Sequence, residues 1–457
     1  MVDRVTAALA LASAAFVSVP ASLIPETAKA QSVRRRTETL PRESLVNQPS
    51  AVTPRDFGGG YKMGSLIKGL DPYSGISNYN GLVTSRFAPL TFAGGRGQVS
   101  FYGQMNLGWL NVDSGYKDTD SYFSTNGTTL NELGTRVRYE VTPDFTVGAR
   151  LSFVAAFNRS DILTSYEDQD AGCDEKHPDD AFCWNSASLY VSGPLFGKIS
   201  VGLGETAAAD IGSITLGGTG AVTNNDPTLK GGWHQVRGTY YTLNDVAPDV
   251  TGVTRGTRIR YDSPTFAGFS VSGSWGEASH VGAPPDAKDY WDVALRYAGQ
   301  FGSIRVATGL AYQDYDREGD HLSQSNLTWG GSIQHVPTGL FASASLNGIN
   351  RDAKFKPGFG ETDNASAYYL QAGISRNVFG IGKTALYGEY GETDNGANAG
   401  AYFLKDSSTE NWGLGLVQNI DAAAMSLYIT YNSIQADVGG TKGDDMNVVF
   451  AGARVKF

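Results

Sequence analysis

Met446-Asn447-Val448-Val449-Phe450-Ala451-Gly452-Ala453-Arg454-Val455-Lys456-Phe457 closes the chain. As a strand it places Asn447, Val449, Ala451, Ala453, Val455 and Phe457 on one face and Met446, Val448, Phe450, Gly452, Arg454 and Lys456 on the other. A soluble domain has little use for an apolar final strand that ends in an aromatic residue. A barrel that must join its last strand to its first inside a bilayer does, because lipid offers no hydrogen-bond partner to an open sheet edge.

Composition points the same way. The chain holds 57 Gly, 23 Tyr, 21 Phe and 7 Trp against 5 Met and 2 Cys, a balance of strand and turn formers that disfavours a helical enzyme. Mean hydropathy is −0.24, a value expected of a soluble protein. In a barrel with a wet lumen that average is misleading, since only every second residue meets lipid. Residues 1–30 read as a secretory signal: Arg4, an apolar run from Val5 to Val19, then Ala28-Lys29-Ala30 before Gln31. The signal's own charges cancel, so the mature chain keeps the net charge of −10. No later stretch has the run of about 18 apolar residues that a membrane helix needs, so any crossing is by strands.

Export places Cys173 and Cys183 in an oxidising compartment, and a disulfide local to one polar loop is expected between them. A metal site with His177, Asp174 or Asp179 is the competing reading, weakened by the lack of a tight CxxC pair. No metal and no cofactor are predicted.

From Gln98 onward one unit repeats: an alternating run, a short turn, a second run, and a long polar loop. In the hairpin from Asn131 to Phe157, Leu133, Thr135, Val137, Tyr139 and Val141 share a face opposite Glu132, Arg136, Arg138 and Glu140. After Thr142-Pro143-Asp144 the pattern resumes, with Arg150 on the polar side. Phe145 and Phe157 share the apolar face, and their separation at roughly 3.3 Å per residue and a tilt near 45° spans about 28 Å, close to the apolar band of an outer-membrane barrel. The predicted fold is all-β, a transmembrane antiparallel barrel of about sixteen strands over 98–457. Residues 31–97, with Arg34-Arg35-Arg36, scattered prolines and Gly58-Gly59-Gly60, read as an irregular periplasmic extension.

Three segments resemble the Gram-negative general porins, the trimeric sixteen-stranded diffusion pores. They are Gly197-Lys198-Ile199-Ser200-Val201-Gly202-Leu203-Gly204-Glu205-Thr206, Arg258-Ile259-Arg260-Tyr261-Asp262-Ser263-Pro264-Thr265-Phe266-Ala267-Gly268-Phe269-Ser270, and the C-terminal strand. The chain departs from that family where Gly202-Leu203 stands in place of Gly-Arg, and in its N-terminal extension. The resemblance implies an outer-membrane homotrimer in contact with lipid, inserted by the barrel-assembly machinery through a signal that ends in Phe457. It also implies a third loop, here about Glu205 to Arg255, folded inward to narrow the lumen.

Glu205 and Asp210, with Asp226, are the predicted acidic side of that constriction, and Arg136, Arg138, Arg150, Arg258 and Arg260 the basic side. Charges so opposed set up a transverse field across the eyelet. Small hydrophilic solutes and ions would pass by passive diffusion, with a weak preference for anions. A substrate-specific channel and a structural or adhesive barrel with a closed lumen are the alternatives. Asn377-Val378-Phe379-Gly380-Ile381-Gly382-Lys383-Thr384 approaches a phosphate-binding loop, but Asn377 replaces its first glycine and the segment joins two strands. The five histidines are scattered and form no catalytic motif, so neither an enzyme nor a nucleic-acid partner is predicted.

Overall fold

A computed structural model describes residues 90–457 apart from 116–118, 156–157, 164–181, 224, 248–251, 278–286, 318–322, 353–363, 397, 400–401 and 404–405. The signal segment, nearly all of the N-terminal extension, Phe157 and Cys173 lie outside the described residues. Cys183 is disulfide-bonded.

The chain enters as β1 (Leu90–Gly94), turns into β2 (Gly97–Asp113), and continues through β3 (Asp120–Thr125), β4 (Asn131–Thr142), β5 (Phe145–Ala155), β6 (Phe182–Gly193) and β7 (Gly197–Glu205). The long third loop leads to β8 (Arg255–Asp262), β9 (Phe269–Glu277), β10 (Ala287–Phe301), β11 (Ile304–Arg317), β12 (Ser323–His335), β13 (Leu340–Asp352), β14 (Ala365–Arg376) and β15 (Thr384–Asp394). The small pair β16 (Asn398–Ala399) and β17 (Tyr402–Phe403) precedes β18 (Ser407–Ile420), β19 (Met425–Val438), β20 (Thr441–Lys442) and β21 (Met446–Lys456). Without the accessory strands β1, β3, β16, β17 and β20, sixteen strands close an antiparallel wall.

Closure runs along β2. Its Gln104–Asp113 portion pairs with β21, and its Gly97–Gln104 portion pairs with β4. Each portion would leave one edge open, and β1 (Leu90↔Phe101) and β3 (Leu107↔Thr125) cover those edges. This matters in a bilayer, where unpaired backbone groups cost several kcal/mol each. Leu90–Gly94, expected within the irregular extension, is therefore a strand, and the demand for a covered edge explains why.

Polarity is inverted relative to a soluble sheet. In β8, Gly256, Arg258, Arg260 and Asp262 are buried, while Thr257, Ile259 and Tyr261 are exposed. Leu189, Val201, Trp275, Leu386 and Leu414 likewise point out of the wall, at 69%, 52%, 65%, 56% and 57% exposure. Outward aromatics form two girdles: Trp291–Tyr312 and Trp412–Tyr431 toward the long-loop rim, Phe145–Phe196 and Phe269–Tyr297 toward the short turns. The segment between Arg376 and Thr384 is a short-turn connection between β14 and β15.

The inner face is not wet throughout, as the alternation had suggested. Leu110 and Val112 of β2 and Met446, Val448 and Phe450 of β21 are buried in an apolar cluster with Val222, Val236, Leu243 and Val246 of the third loop. Their side chains face the lumen and are dried by the loop that lies on them.

Candidate functional site

The third loop leaves β7 at Glu205 and lies flush on the inner wall because the wall there is built from small residues. Ala207, Ile211, Ile214 and Leu216 pack against Ala294 and Ala298 of β10 and Ala307 and Ala311 of β11. At Gly330 a Cβ atom would overlap the carbonyl of Ile211. Close approach of two backbones is a use that only glycine serves.

Polar side chains of the wall grip the first turn of the loop. The Ala207 amide donates to Ser274 Oγ at 3.0 Å, and the Ala208 amide to Asp292 Oδ2 at 2.6 Å. Arg296 Nη2 donates to the carbonyls of Ala207 and Ala209 at 2.6 and 3.0 Å. Arg260 Nη1 donates to the Thr206 carbonyl at 2.7 Å, and Arg258 Nε to the Glu205 carbonyl at 2.7 Å. Further along, Thr215 and Thr219 both donate to Gln371 Oε1, at 3.2 and 2.9 Å. At the far side Thr223 donates to Glu389 Oε2 at 2.5 Å, and Lys230 Nζ lies 3.9 Å from Glu389 Oε1 and 2.9 Å from Asn432 Oδ1. Buried loop backbone thus finds its partners in the wall, as a water-poor interior requires.

Facing the start of the loop is a cluster from β2, β4, β5 and β8. Arg136 and Arg150 stand directly opposite each other in the β4–β5 ladder, both on the lumen side. Arg150 Nη2 lies 3.3 Å from Glu132 Oε1, and its Nη1 lies 4.0 Å from Glu205 Oε1. Arg255 Nη2 is 3.8 Å from the same Glu205 oxygen. Tyr102 donates to Glu132 at 3.3 Å and accepts from Arg150 Nε at 3.0 Å. The Arg150 side chain retains 29% exposure, whereas that of Arg260 falls to 6%, and Arg258 is buried as well.

Asp210, in the loop, carries a left-handed backbone (φ 62°). Burial first, and then the charge of Glu205, push its carboxyl up to about 6, against the pull of Arg255, Arg296 and Arg260. Burial lowers the ammonium of Lys230 from its ordinary value, and the Glu389 charge opposes that shift.

Of the predicted constriction residues, Arg136, Arg150, Glu205 and Asp210 share one region of the lumen. Arg258 and Arg260 adjoin it but are buried against loop carbonyls and, for Arg260, against Asp262 at 2.7 Å. Arg138 sits one inward position nearer the short-turn rim and pairs with Glu140 at 2.7 Å. Asp226 is apart from the cluster: it caps the turn Pro227–Leu229, accepting from the Thr228 amide at 2.9 Å, and its charge acts on Lys230. Sequence reasoning missed Tyr102, Arg255, Arg296 and Glu389. Tyr102 shares inward parity with its strand neighbours and could have been found by that signal. Arg255 could not, because alternation along β8 puts it on the face of Thr257, Ile259 and Tyr261, which point outward.

A family model described as Gram-negative porin matches residues 82–439. No curated protein sequence matches significantly. Among solved structures, the chain is similar to the anion-selective porin from Comamonas acidovorans, at 18% identity and a TM-score of 0.55, covering 79% of this chain and 100% of that one. It is similar also to the outer-membrane channel DcaP of Acinetobacter baumannii, at 11% identity and 0.51, covering 81% and 100%. The OmpF of Salmonella typhi, solved with daunomycin, aligns at 12% identity and 0.50, covering 80% and 100%.

Proposed function

The chain belongs to the Gram-negative porin family, and on that footing we propose that its lumen passes small hydrophilic solutes with a preference for anions. It is an outer-membrane diffusion channel, and both fold and family point to transport without chemistry.

One observation carries the anion preference: two arginines, Arg136 and Arg150, oppose each other directly on the lumen face. Around them, Arg255, Arg258 and Arg260 outnumber the acidic Glu132, Glu205, Asp210 and Asp262 once the opposed pair is included. Fixed charge beside a narrow aqueous path acts at short range and is screened only over about 8 Å, so these residues outweigh the distant surface charge. Arg258 and Arg260 act chiefly as braces that hold the loop inward. Arg150 and Arg255 lie within ion-pair distance of Glu205, at 4.0 and 3.8 Å, so these groups border the solute path together, with Arg136 and Asp210 beside them. The working assembly is a homotrimer, inserted through its C-terminal strand by the barrel-assembly machinery.

Single-channel recording in planar bilayers tests the reading. Large ohmic steps that sugars and dicarboxylates leave unblocked support it. Saturable block by one solute class would make the channel substrate-specific, and silence would contradict an open lumen.

A further inference from the structure

Arg136 and Arg150 form an arrangement that sheets ordinarily avoid, since like charges directly opposite in an antiparallel ladder destabilise it. Tyr102, on the neighbouring β2, meets both. Its cross-strand partner is Gly134, and a Cβ atom there would overlap the tyrosine's ring and hydroxyl, so the ring lies flat on the glycine. Over that ring lies the guanidinium of Arg136, 3.9 Å from the centroid. The phenol oxygen accepts from Arg150 Nε at 3.0 Å and donates to Glu132 Oε1 at 3.3 Å. Glu132 is steadied further by Asn185 Nδ2 at 3.0 Å.

One neutral side chain therefore engages two like charges: its π face lies close under Arg136, and Arg150 bonds its hydroxyl while standing 5.9 Å from the ring centroid. We infer that Tyr102 is a positioning residue for ion selectivity, holding the two guanidinium groups apart and turned to the lumen as paired donors for a small oxyanion or halide. The inference rests on the anion-preferring reading above. Without the hydroxyl, Arg150, already 3.3 Å from Glu132 and 4.0 Å from Glu205, tightens onto those carboxylates and presents less of its charge to the lumen. Without the ring, Arg136 loses its platform as well. A tally of charged residues would not reveal this role, because Tyr102 contributes no charge.

Three variants separate the two contacts: Tyr102→Phe keeps the ring, Tyr102→Leu removes both contacts, and Gly134→Ala displaces the ring and its hydroxyl together while keeping every charged side chain. The readouts are the anion-to-cation permeability ratio from zero-current potentials and the single-channel conductance, on protein shown to be folded by heat modifiability. Tyr102→Phe is expected to lower the ratio by about twofold, and Tyr102→Leu and Gly134→Ala by about three- to fivefold, as the loss of one or both contacts of modest strength implies. Equal ratios for wild type and Tyr102→Leu, or equal losses for Tyr102→Phe and Tyr102→Leu, would overturn the assignment. A wild-type channel with no anion preference would instead sink the functional reading itself.

Discussion

Phe457 and Gly103 meet across the seam that closes the barrel. Their backbones exchange both hydrogen bonds, at 2.8 and 3.0 Å, and the phenylalanine ring lies where a Cβ on Gly103 would come within 2.6 Å of it. The aromatic end of the chain thus has a seat on the first wall strand, prepared by the residue with no side chain.

Gly103→Val should therefore weaken closure, at a cost of about 1–3 kcal/mol for overpacking a site with no room. The midpoint of the heat-induced band shift on gels reads this loss. Because both residues serve one contact, Gly103→Val combined with Phe457→Ala should lose less than the sum of the single changes.

At the far anchor, Glu389 accepts from Thr223, Tyr369 and Asn432, and its side chain is nearly inaccessible beside Lys230. Glu389→Leu strands a buried ammonium, and about 3–5 kcal/mol of stability should be lost. Replacing both Lys230 and Glu389 by Met should recover much of it. Thermal unfolding in detergent reads the stability, and open-channel current noise reads whether the loop has come loose.

Selectivity should depend on pH through Asp210. Its carboxyl, raised to about 6, is ionised above that pH and neutral below it. As pH falls from 7 to 5 the constriction loses one negative charge, so the anion-to-cation ratio should rise. Asp210→Asn should show the high ratio at both pH values. A raised carboxyl contributes stability that is lost as pH rises from the unfolded value toward 6, so the variant should also be the more heat-resistant protein at pH 8.

His234 titrates in the opposite sense. It is fully buried, edge-on to Tyr122 and 3.9 Å from Asp120, and burial pushes its imidazole down to about 4. The unfolded chain takes up the proton near pH 6.5, so the stability due to the neutral ring is lost as pH falls from there toward 4, by up to about 3 kcal/mol. Thermal midpoints measured across that window should decline for wild type and much less for His234→Phe.

Strands were legible in the sequence because lipid and water enforce strict alternation on a wall one residue thick. β4 starts at Asn131 and β7 at Gly197, where the alternating hairpin and the porin-like segment begin in the sequence. Legibility failed where a third surface intervened. Met446, Val448 and Phe450 share the inward parity of Arg454 and Lys456, where alternation predicts water, yet the third loop covers them. The inward parity of Arg258 and Arg260 was readable from the alternation, but their partners, loop carbonyls more than fifty residues away in sequence, were not. Asp226 was grouped with Glu205 on sign alone, and the course of the loop takes it elsewhere.

The zero-current potential of single channels under a potassium chloride gradient, for wild type and for Arg136→Ala/Arg150→Ala, tests most directly whether the pinched lumen discriminates by its opposed arginines. A wild-type potential of the sign set by chloride, moving by at least about threefold in permeability ratio toward potassium in the double variant, is predicted. A wild-type potential set by potassium, or one that the double variant leaves unchanged, would contradict it.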